Sequence, residues 1–332
     1  MVVIHSYGVA VFLAFITMLC WGSWANTQKL AQKHWPFQLY YWDYAIGVLL
    51  LALVLAFTAG SFGSEGRSFL ADLAQADGKS LTFAFLGGVV FNIANILLVA
   101  AIAIAGMSVA FPIGIGLALA LGVIVNYIST PVGNPVVLFI GVAFVVLAII
   151  LSAMAYRKLP SQTTTKTKGI VISLAAGVLM GFWYYFVAAS MADNFVNPAA
   201  GKLTPYSASV IMAIGLFVSN FIWNSIFMYK PIEGEKVTYR DYFKKGDTRL
   251  HAIGILGGII WGLGTVVNII AAEQAGYAIS YGLGQGATLI SALWGVFVWK
   301  EFKGAKGVKG LLTAMFLFFV VGLVLIIIAR LY

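Results

Sequence analysis

Polar side chains that could bind a small neutral solute stand inside otherwise apolar stretches of this chain. Asn92 and Asn95 lie one helical turn apart, and so do Gln285 and Thr288, so each pair shares one face of a helix. A carboxamide offers both N–H donors and a carbonyl acceptor. This chemistry suits a small polar solute that carries hydroxyl or amide groups. Alternatively, these amides join helices to one another, since a hydrogen bond between membrane helices contributes about 0.6 kcal/mol of stability on average.

Aromatic residues accompany these amides. A flat ring stacks on the C–H surface of a sugar or on a planar heterocycle, and its polar tip supplies a hydrogen bond. Together with nearby amides and hydroxyls, the aromatic residues complete a predicted substrate-binding set of Trp24, Asn26, Asn92, Asn95, Trp183, Trp261, Thr265, Tyr281, Gln285 and Thr288.

Two acidic residues, Asp43 and Glu273, fall within the apolar stretches. An ionisable group inside a membrane costs a few kcal/mol and by default marks an ion or proton path, so both are candidates for proton coupling or gating. Asp43 has two interpretations. It is either the titrating group of a polar cavity whose inner lip is the segment CWGSWANTQKL, residues 20–30, or the partner of Lys29 in an interfacial ion pair. Glu273 is either an outer gate residue or solvated at the external surface.

The sequence offers no pattern for catalysis or for a cofactor. The three histidines, His5, His34 and His251, lie at predicted helix ends, and Cys20 is the single cysteine. No Walker-type phosphate loop, HExxH or GxSxG stands in a suitable context. We therefore predict no catalytic residues, no metal, no cofactor and no use of ATP, which argues against an enzyme.

The composition indicates a membrane protein. The chain is 61% hydrophobic and 9% charged, whereas about 25% of the residues of a soluble domain are charged. Apolar stretches of about 20 residues are long enough to cross a bilayer core. They predict an all-α protein with ten transmembrane helices, near 6–28, 39–60, 81–104, 107–129, 135–156, 169–191, 206–229, 252–273, 277–298 and 308–330. The first stretch lacks a basic segment and a cleavage site, so we expect a retained helix rather than a signal peptide.

The net charge of +9 comes from basic residues that are concentrated in particular loops. Most basic residues lie in the loops after the first, fifth, seventh and ninth spans, among them Lys29, Lys33, Arg157 and Lys166. By the positive-inside rule these loops are cytoplasmic, which puts both termini outside the cell. The prediction is a multi-pass protein of the inner (plasma) membrane, with the lipid bilayer and not nucleic acid as its partner.

The chain contains an internal repeat. Residues 86–116 overlay 256–286 without a gap, with identities at Leu86, Gly87, Gly88, Ala101, Ala105, Gly106, Gly114 and Gly116. The repeat predicts two five-helix halves, 1–156 and 169–332, joined by a cytoplasmic linker at 157–168. Because each half has an odd number of spans, the halves enter the membrane in opposite senses. Inverted repeats of this kind are typical of secondary transporters with alternating access.

Five segments of the sequence resemble the ureide permeases of the drug/metabolite transporter superfamily, a family close to the glucose/ribose porters and the rhamnose–proton symporters. They are WGSW at 21–24, WDYA at 42–45, FLGGVVFNIANI at 85–96, EQAGYAISYGLGQG at 273–286 and WGVFVWKEF at 294–302. The resemblance implies a ten-helix carrier whose first, sixth, eighth and ninth spans surround a central cavity. It implies uptake of a ureide or nucleobase such as allantoin or uracil, or of a monosaccharide such as ribose or glucose, by proton symport.

Other functions stay open at this point. The superfamily also contains exporters of amino acids and drugs, and a channel-like facilitator would need no ion coupling. Two complete halves make a monomer sufficient, and a homodimer is the alternative.

Overall fold

The computed structural model describes residues 1–31, 34–105, 107–159, 167–232 and 235–332, and these residues are helical apart from loops and one isolated bridge between Met191 and Leu203. Lys33, Gly106, Lys166 and most of the predicted linker lie outside the described residues. The helices are α1 (Tyr7–Ser23), α2 (Ala25–Ala31), α3 (Phe37–Phe57), α4 (Phe69–Gln75), α5 (Gly78–Ala105), α6 (Met107–Ser129), α7 (Pro135–Tyr156), α8 (Thr167–Ser190), α9 (Pro205–Asn220), α10 (Trp223–Tyr229), α11 (Tyr239–Lys245), α12 (Thr248–Ala275), α13 (Tyr277–Gly284), α14 (Ala287–Leu293), a π-helical turn (Trp294–Val298) and α15 (Lys309–Ile328).

In the described part of the chain, nine continuous or composite helices are long and apolar enough to cross a membrane. They fall on nine of the ten predicted spans. The other predicted span, 107–129, is helix α6, whose apolar stretch Ile113–Ser129 is shorter. Three spans are composite: α1 with α2, α9 with α10, and α13 with α14 and the π-helical turn. The structure confirms an all-α membrane protein.

Side-chain caps fix where several helices begin. Asn134 precedes α7, and its Oδ1 accepts from the backbone N–H groups of Val136 at 3.0 Å and Val137 at 3.2 Å. Asp247 caps α12 in the same way, by accepting from the N–H of Leu250 at 2.8 Å. These caps satisfy N–H groups that lack a partner within the helix.

Glycines allow two pairs of spans to approach closely. A Cβ atom added to Gly258 of α12 would lie 2.0 Å from the carbonyl oxygen of Tyr44 in α3. A Cβ atom added to Gly88 of α5 would lie 1.9 Å from the carbonyl oxygen of Met212 in α9. Since no side chain fits in either place, backbone packs on backbone at both interfaces, as small residues permit in membranes.

Polar contacts between loops and the short helix α4 close one end of the bundle. Arg67 pairs with Asp72 at 2.8 Å and donates to the carbonyl oxygen of Lys202 at 2.6 Å. Asp72 also accepts from the backbone N–H of Thr204 at 2.7 Å. The N-terminal ammonium donates to the carbonyl oxygen of Glu65 and so lies at this same end. We call it the closed end.

Candidate substrate cavity

A cavity of about 460 Å³ lies between the helices and reaches the end of the bundle opposite the closed end. Its walls come from both halves of the chain. Of the predicted binding set, the structure brings together in this wall Trp24, Asn26, Asn95, Trp183, Trp261, Gln285 and Thr288. The predicted residues outside the cavity wall are Asn92, Thr265, Tyr281, Asp43 and Glu273.

Four aromatic rings from four helices line the deep end of the cavity, away from its mouth. They are Trp21, Phe91, Trp183 and Trp261, and we call them the aromatic floor. Phe91 stacks on Trp261 with ring centroids 4.2 Å apart. Trp21 lies nearly parallel to Trp261, with an angle of 13° between the ring planes and centroids 6.3 Å apart. Trp183 contacts Phe91 edge to face at 5.3 Å. The floor offers flat apolar faces to a solute.

Trp21 and Phe91 were not in the predicted binding set. The sequence contained a signal for each of them. Trp21 precedes Trp24 by one helical turn, and Phe91 is the residue that the gapless repeat matches to Trp261.

Two predicted residues, Thr265 and Tyr281, lie behind the cavity wall. The indole N–H of Trp21 donates to Oγ1 of Thr265 at 3.0 Å, and that hydroxyl donates to the carbonyl oxygen of Trp261 at 3.1 Å. The hydroxyl of Tyr281 lies 3.1 Å from the carbonyl oxygen of Met180 and 3.2 Å from that of Ala118, so it joins α13 to α6 and α8. Thr265 and Tyr281 therefore position cavity residues rather than face the cavity.

Asn92 and Asn95 have different surroundings. The Asn92 amide donates to Ser219 Oγ at 2.8 Å and to the carbonyl oxygen of Leu216 at 3.2 Å, and so joins α5 to α9. This geometry matches the alternative interpretation, in which the amide links helices. Asn95 faces the cavity and donates to the hydroxyl of Tyr41 at 3.2 Å. The boundary of the cavity thus runs between two residues one turn apart.

Gln285 lies at a break in the ninth span. Helix α13 ends at Gly284 and α14 begins at Ala287. The backbone N–H of Gly286 bonds to Leu283, and that of Thr288 bonds to Gln285, at 2.9 and 3.2 Å; both are bonds to the third preceding residue. A 3₁₀ segment inside a helix often marks a functional hinge. The residue at this break carries an amide that lines the cavity.

A charged cluster stands at the open end of the cavity, and we call it the mouth cluster. The Lys29 ammonium lies 2.6 Å from Glu301 Oε1, and the Tyr156 hydroxyl donates to Glu301 Oε2 at 2.9 Å. Lys29 also lies 4.2 Å from the ring centroid of Trp299, whose N–H donates to Asn26 at 2.6 Å. The segment at 20–30 therefore does line the cavity, with Glu301 as the acidic residue at its lip.

The interpretation of Asp43 and Lys29 as an ion pair is wrong, because Lys29 pairs with Glu301 and Asp43 has other partners. Asp43 is 1% exposed and packs beside Gly254 of α12. Its carboxylate accepts hydrogen bonds from Trp35 at 3.1 Å, Tyr242 at 2.5 Å and His251 at 2.9 Å, which form the Asp43 cluster. The cluster ties α3 to α12 and to the surface helix α11.

Tyr242 is the donor that α11 contributes to this cluster. Burial, followed by the hydrogen bond to the Asp43 carboxylate, raises the pKa of Tyr242 above its ordinary value. The phenol therefore stays protonated at neutral pH and keeps donating.

Glu273 lies toward the closed end and not at the cavity. Its Oε1 accepts from the backbone N–H of Phe195 at 2.7 Å, a contact between α12 and the loop after α8. Its Oε2 is buried without a hydrogen-bond partner in the described part of the chain. This position is compatible with the predicted gating role at the outer surface, which stays a prediction.

Fold and cavity together define a class of protein. An apolar helical bundle that is closed at one end and holds a cavity with aromatic and hydrogen-bonding walls is typical of a membrane transporter for a small solute. The family model for ureide permeases matches residues 40–168 and 155–329, and the chain belongs to this family. Its homologues are transporters and not enzymes.

Relatives match over almost the whole chain. Ureide permease 2 of Arabidopsis thaliana is 25% identical over 99% of this chain and 98% of its own length. A protein of Enterococcus faecalis named "Putative sugar uptake protein" is 22% identical over 90% of this chain and 92% of its own. A solved structure titled "Crystal structure of protein" has a TM-score of 0.61 at 13% identity, with 98% of this chain and 99% of that chain covered. This last likeness concerns the fold alone.

Proposed function

We propose that this protein is a secondary transporter that carries a small neutral polar solute across the membrane by alternating access. One observation carries the proposal. The cavity reaches the surface at the mouth cluster, while the contacts around Arg67 and Asp72 close the opposite end. In each of its two access states, a carrier has a cavity that opens to one side of the membrane only, whereas the pore of an open channel connects both sides.

The access state that we propose is the inward-open one. The mouth cluster contains Lys29, and Arg157 directly follows Tyr156, so the open end carries loops that are rich in basic residues. The positive-inside rule makes this end cytoplasmic and supports both termini lying outside the plasma membrane.

Packing supports the inverted repeat. The overlay matches Gly88 of α5 to Gly258 of α12. Gly88 packs on α9 and Gly258 packs on α3, so each of the matched helices contacts the second span of the other half. The first spans also run oppositely. Helix α1 begins at the closed end and leads to Trp24 in the cavity wall, whereas α8 ends near the closed end, where the Lys202 ammonium donates to the carbonyl oxygen of Ala189.

The family implies ureides such as allantoin as the solutes. The aromatic floor and the amides of Asn95 and Gln285 support this class, because a ureide is flat and carries N–H and C=O groups on its edge. A monosaccharide is the second candidate, supported by the name of the Enterococcus faecalis relative. The cavity forms within one chain, so a monomer is sufficient for transport.

Proton symport is the coupling that we propose. It requires a carboxylate that exchanges protons with the transport path. Asp43 and Glu273 lie outside the cavity wall, whereas Glu301 lines the cavity at its mouth. The coupling acid is therefore either Glu301, or one of the two predicted acids acting from behind the wall.

Uptake by proteoliposomes tests the proposal. We expect saturable entry of radiolabelled allantoin, with accumulation above the external concentration when the outside is acidic, and loss of that accumulation when a protonophore is added. Protein-free liposomes are the control. Entry that stops at equal concentrations under every gradient would reject proton symport and leave a facilitator. Entry no faster than in protein-free liposomes, for allantoin, uracil, ribose and glucose alike, would contradict transport of this solute class.

A further inference from the structure

We propose that Gln285 is the specificity-determining residue of the cavity, and that its carboxamide pairs with a flat solute edge in which an N–H stands beside a C=O. The inference rests on the proposed transport function and adds the atoms that recognise the solute.

The first support is the position of Gln285 in the backbone. It lies between α13 and α14, in the 3₁₀ break near the middle of the ninth span. A short 3₁₀ stretch inside a helix often marks a functional hinge, and here it places Gln285 in the cavity wall.

The second support is that the Gln285 amide has no hydrogen-bond partner among the described residues, although the residue is only 8% exposed and lines the cavity. Its polar neighbours in the cavity wall are already engaged. The Thr288 hydroxyl donates to the carbonyl oxygen of Gln285, and the Ser291 hydroxyl donates to that of Gly22. The donor and the acceptor of the Gln285 side chain therefore remain available to a solute.

The third support is the relation of this amide to the aromatic floor. The preceding residue, Gly284, packs against the Trp21 ring, since a Cβ added there would lie 2.7 Å from Cζ3 of that ring. Gln285 therefore directly follows a residue that contacts the floor, and it lines the same cavity as the floor rings.

A carboxamide and a cyclic amide fit each other in this arrangement. In a ring the amide is held cis, so its N–H and C=O point the same way. The C=O accepts from the Gln285 N–H, and the N–H donates to the Gln285 C=O, which gives two parallel hydrogen bonds in one plane. A sugar hydroxyl on a tetrahedral carbon has no such planar pair of groups.

Binding of two hydantoins tests the inference. Hydantoin is a cyclic ureide with intact N–H groups, and 1,3-dimethylhydantoin lacks them. Ligand-induced thermal stabilisation of the purified protein measures the binding. We expect the wild type to bind hydantoin at least about tenfold more tightly than the dimethyl compound, because a site built for hydrogen bonds rejects an analogue that lacks them. In Gln285→Ala this preference falls to within about twofold, through weaker binding of hydantoin.

Two further variants separate recognition from folding. Gln285→Met keeps the length of the side chain without its amide, and we expect the same loss of preference. Asn92→Ala removes an amide that joins α5 to α9 outside the cavity wall. It should lower the unfolding temperature and keep the wild-type preference.

The inference is overturned if Gln285→Ala and Gln285→Met discriminate as the wild type does, or if hydantoin does not bind wild-type protein. The transport proposal is rejected by a different result, namely that proteoliposomes take up none of the candidate solutes. If the protein binds ribose but not hydantoin, the transport proposal stands and the proposed role of Gln285 is contradicted.

Discussion

Replacing Asp43 by alanine is expected to lower the free energy of unfolding by about 3–5 kcal/mol, the cost of breaking a buried charged network by removing one partner. The carboxylate is 1% exposed and accepts from Trp35, Tyr242 and His251. Removing it leaves the buried N–H of Trp35 and the partly buried donors of Tyr242 and His251 without their acceptor. The cluster also attaches α11 to the bundle, so we expect this surface helix to become accessible to protease.

Thermal unfolding in detergent, with limited proteolysis, measures this effect. Lys245→Ala is the matched control, because it removes a charge from α11 by breaking an exposed pair with Asp241, and exposed pairs contribute little. We expect an unfolding temperature close to that of the wild type. An unchanged unfolding temperature in Asp43→Ala would show that the three hydrogen bonds do not stabilise the fold.

The coupling role predicted for Asp43 has a different signature. If Asp43 carries the transported proton, Asp43→Asn abolishes uptake against a gradient and preserves exchange of solute across the membrane. If Asp43 is structural, Asp43→Asn lowers stability and any protein that remains folded still accumulates solute. The ratio of accumulation to exchange, measured below the unfolding temperature, separates these two roles.

The second large effect is expected from Gly258→Ala. The added methyl group would lie 2.0 Å from the Tyr44 carbonyl oxygen, so α3 and α12 must move apart. Overpacking typically costs about 1–3 kcal/mol and occasionally more, and we expect the upper part of this range because the obstacle is backbone. Separation of these helices also disturbs the floor, since Trp261 lies one turn further along α12.

Gly262→Ala is the matched control, one turn away on the same helix. Its methyl group would meet Leu51 and Val48 at 3.4 to 3.5 Å, which is ordinary contact. Thermal unfolding of the purified variants should therefore show a large loss for Gly258→Ala and little change for Gly262→Ala. Equal losses would mean that the close approach of α3 and α12 does not limit stability.

Much of the fold could be predicted from the sequence, because hydropathy and helix length together locate the spans. The depth of a residue in the membrane follows from the same pattern, and the structure places several residues of the predicted binding set, such as Trp261 and Gln285, in the cavity wall. Their role in binding stays a prediction. The direction in which a side chain points does not follow from depth. Asp43 was expected near Lys29 for this reason, although it faces α12.

The mouth cluster was missed for another physical reason. Glu301 follows the predicted end of the ninth span, at 298, and looks like a loop residue in the sequence. The π-helical turn Trp294–Val298 changes the rotation of the chain relative to a regular α-helix, and Trp299 and Glu301 both line the cavity after it. Such single π-helical turns often occur at functional sites, but hydropathy carries no sign of them.

The most direct test is solute protection of a cysteine in the cavity wall. Ser291→Cys is made in a Cys20→Ser background, because Cys20 is the single native cysteine, and Thr265→Cys behind the floor is the control. With a membrane-impermeant maleimide, we predict that residue 291 reacts from the face with the basic loops, that saturating allantoin slows this reaction, and that residue 265 stays unlabelled. Labelling of residue 291 from the opposite face alone, or at a rate that allantoin does not change, would contradict an inward-open substrate cavity.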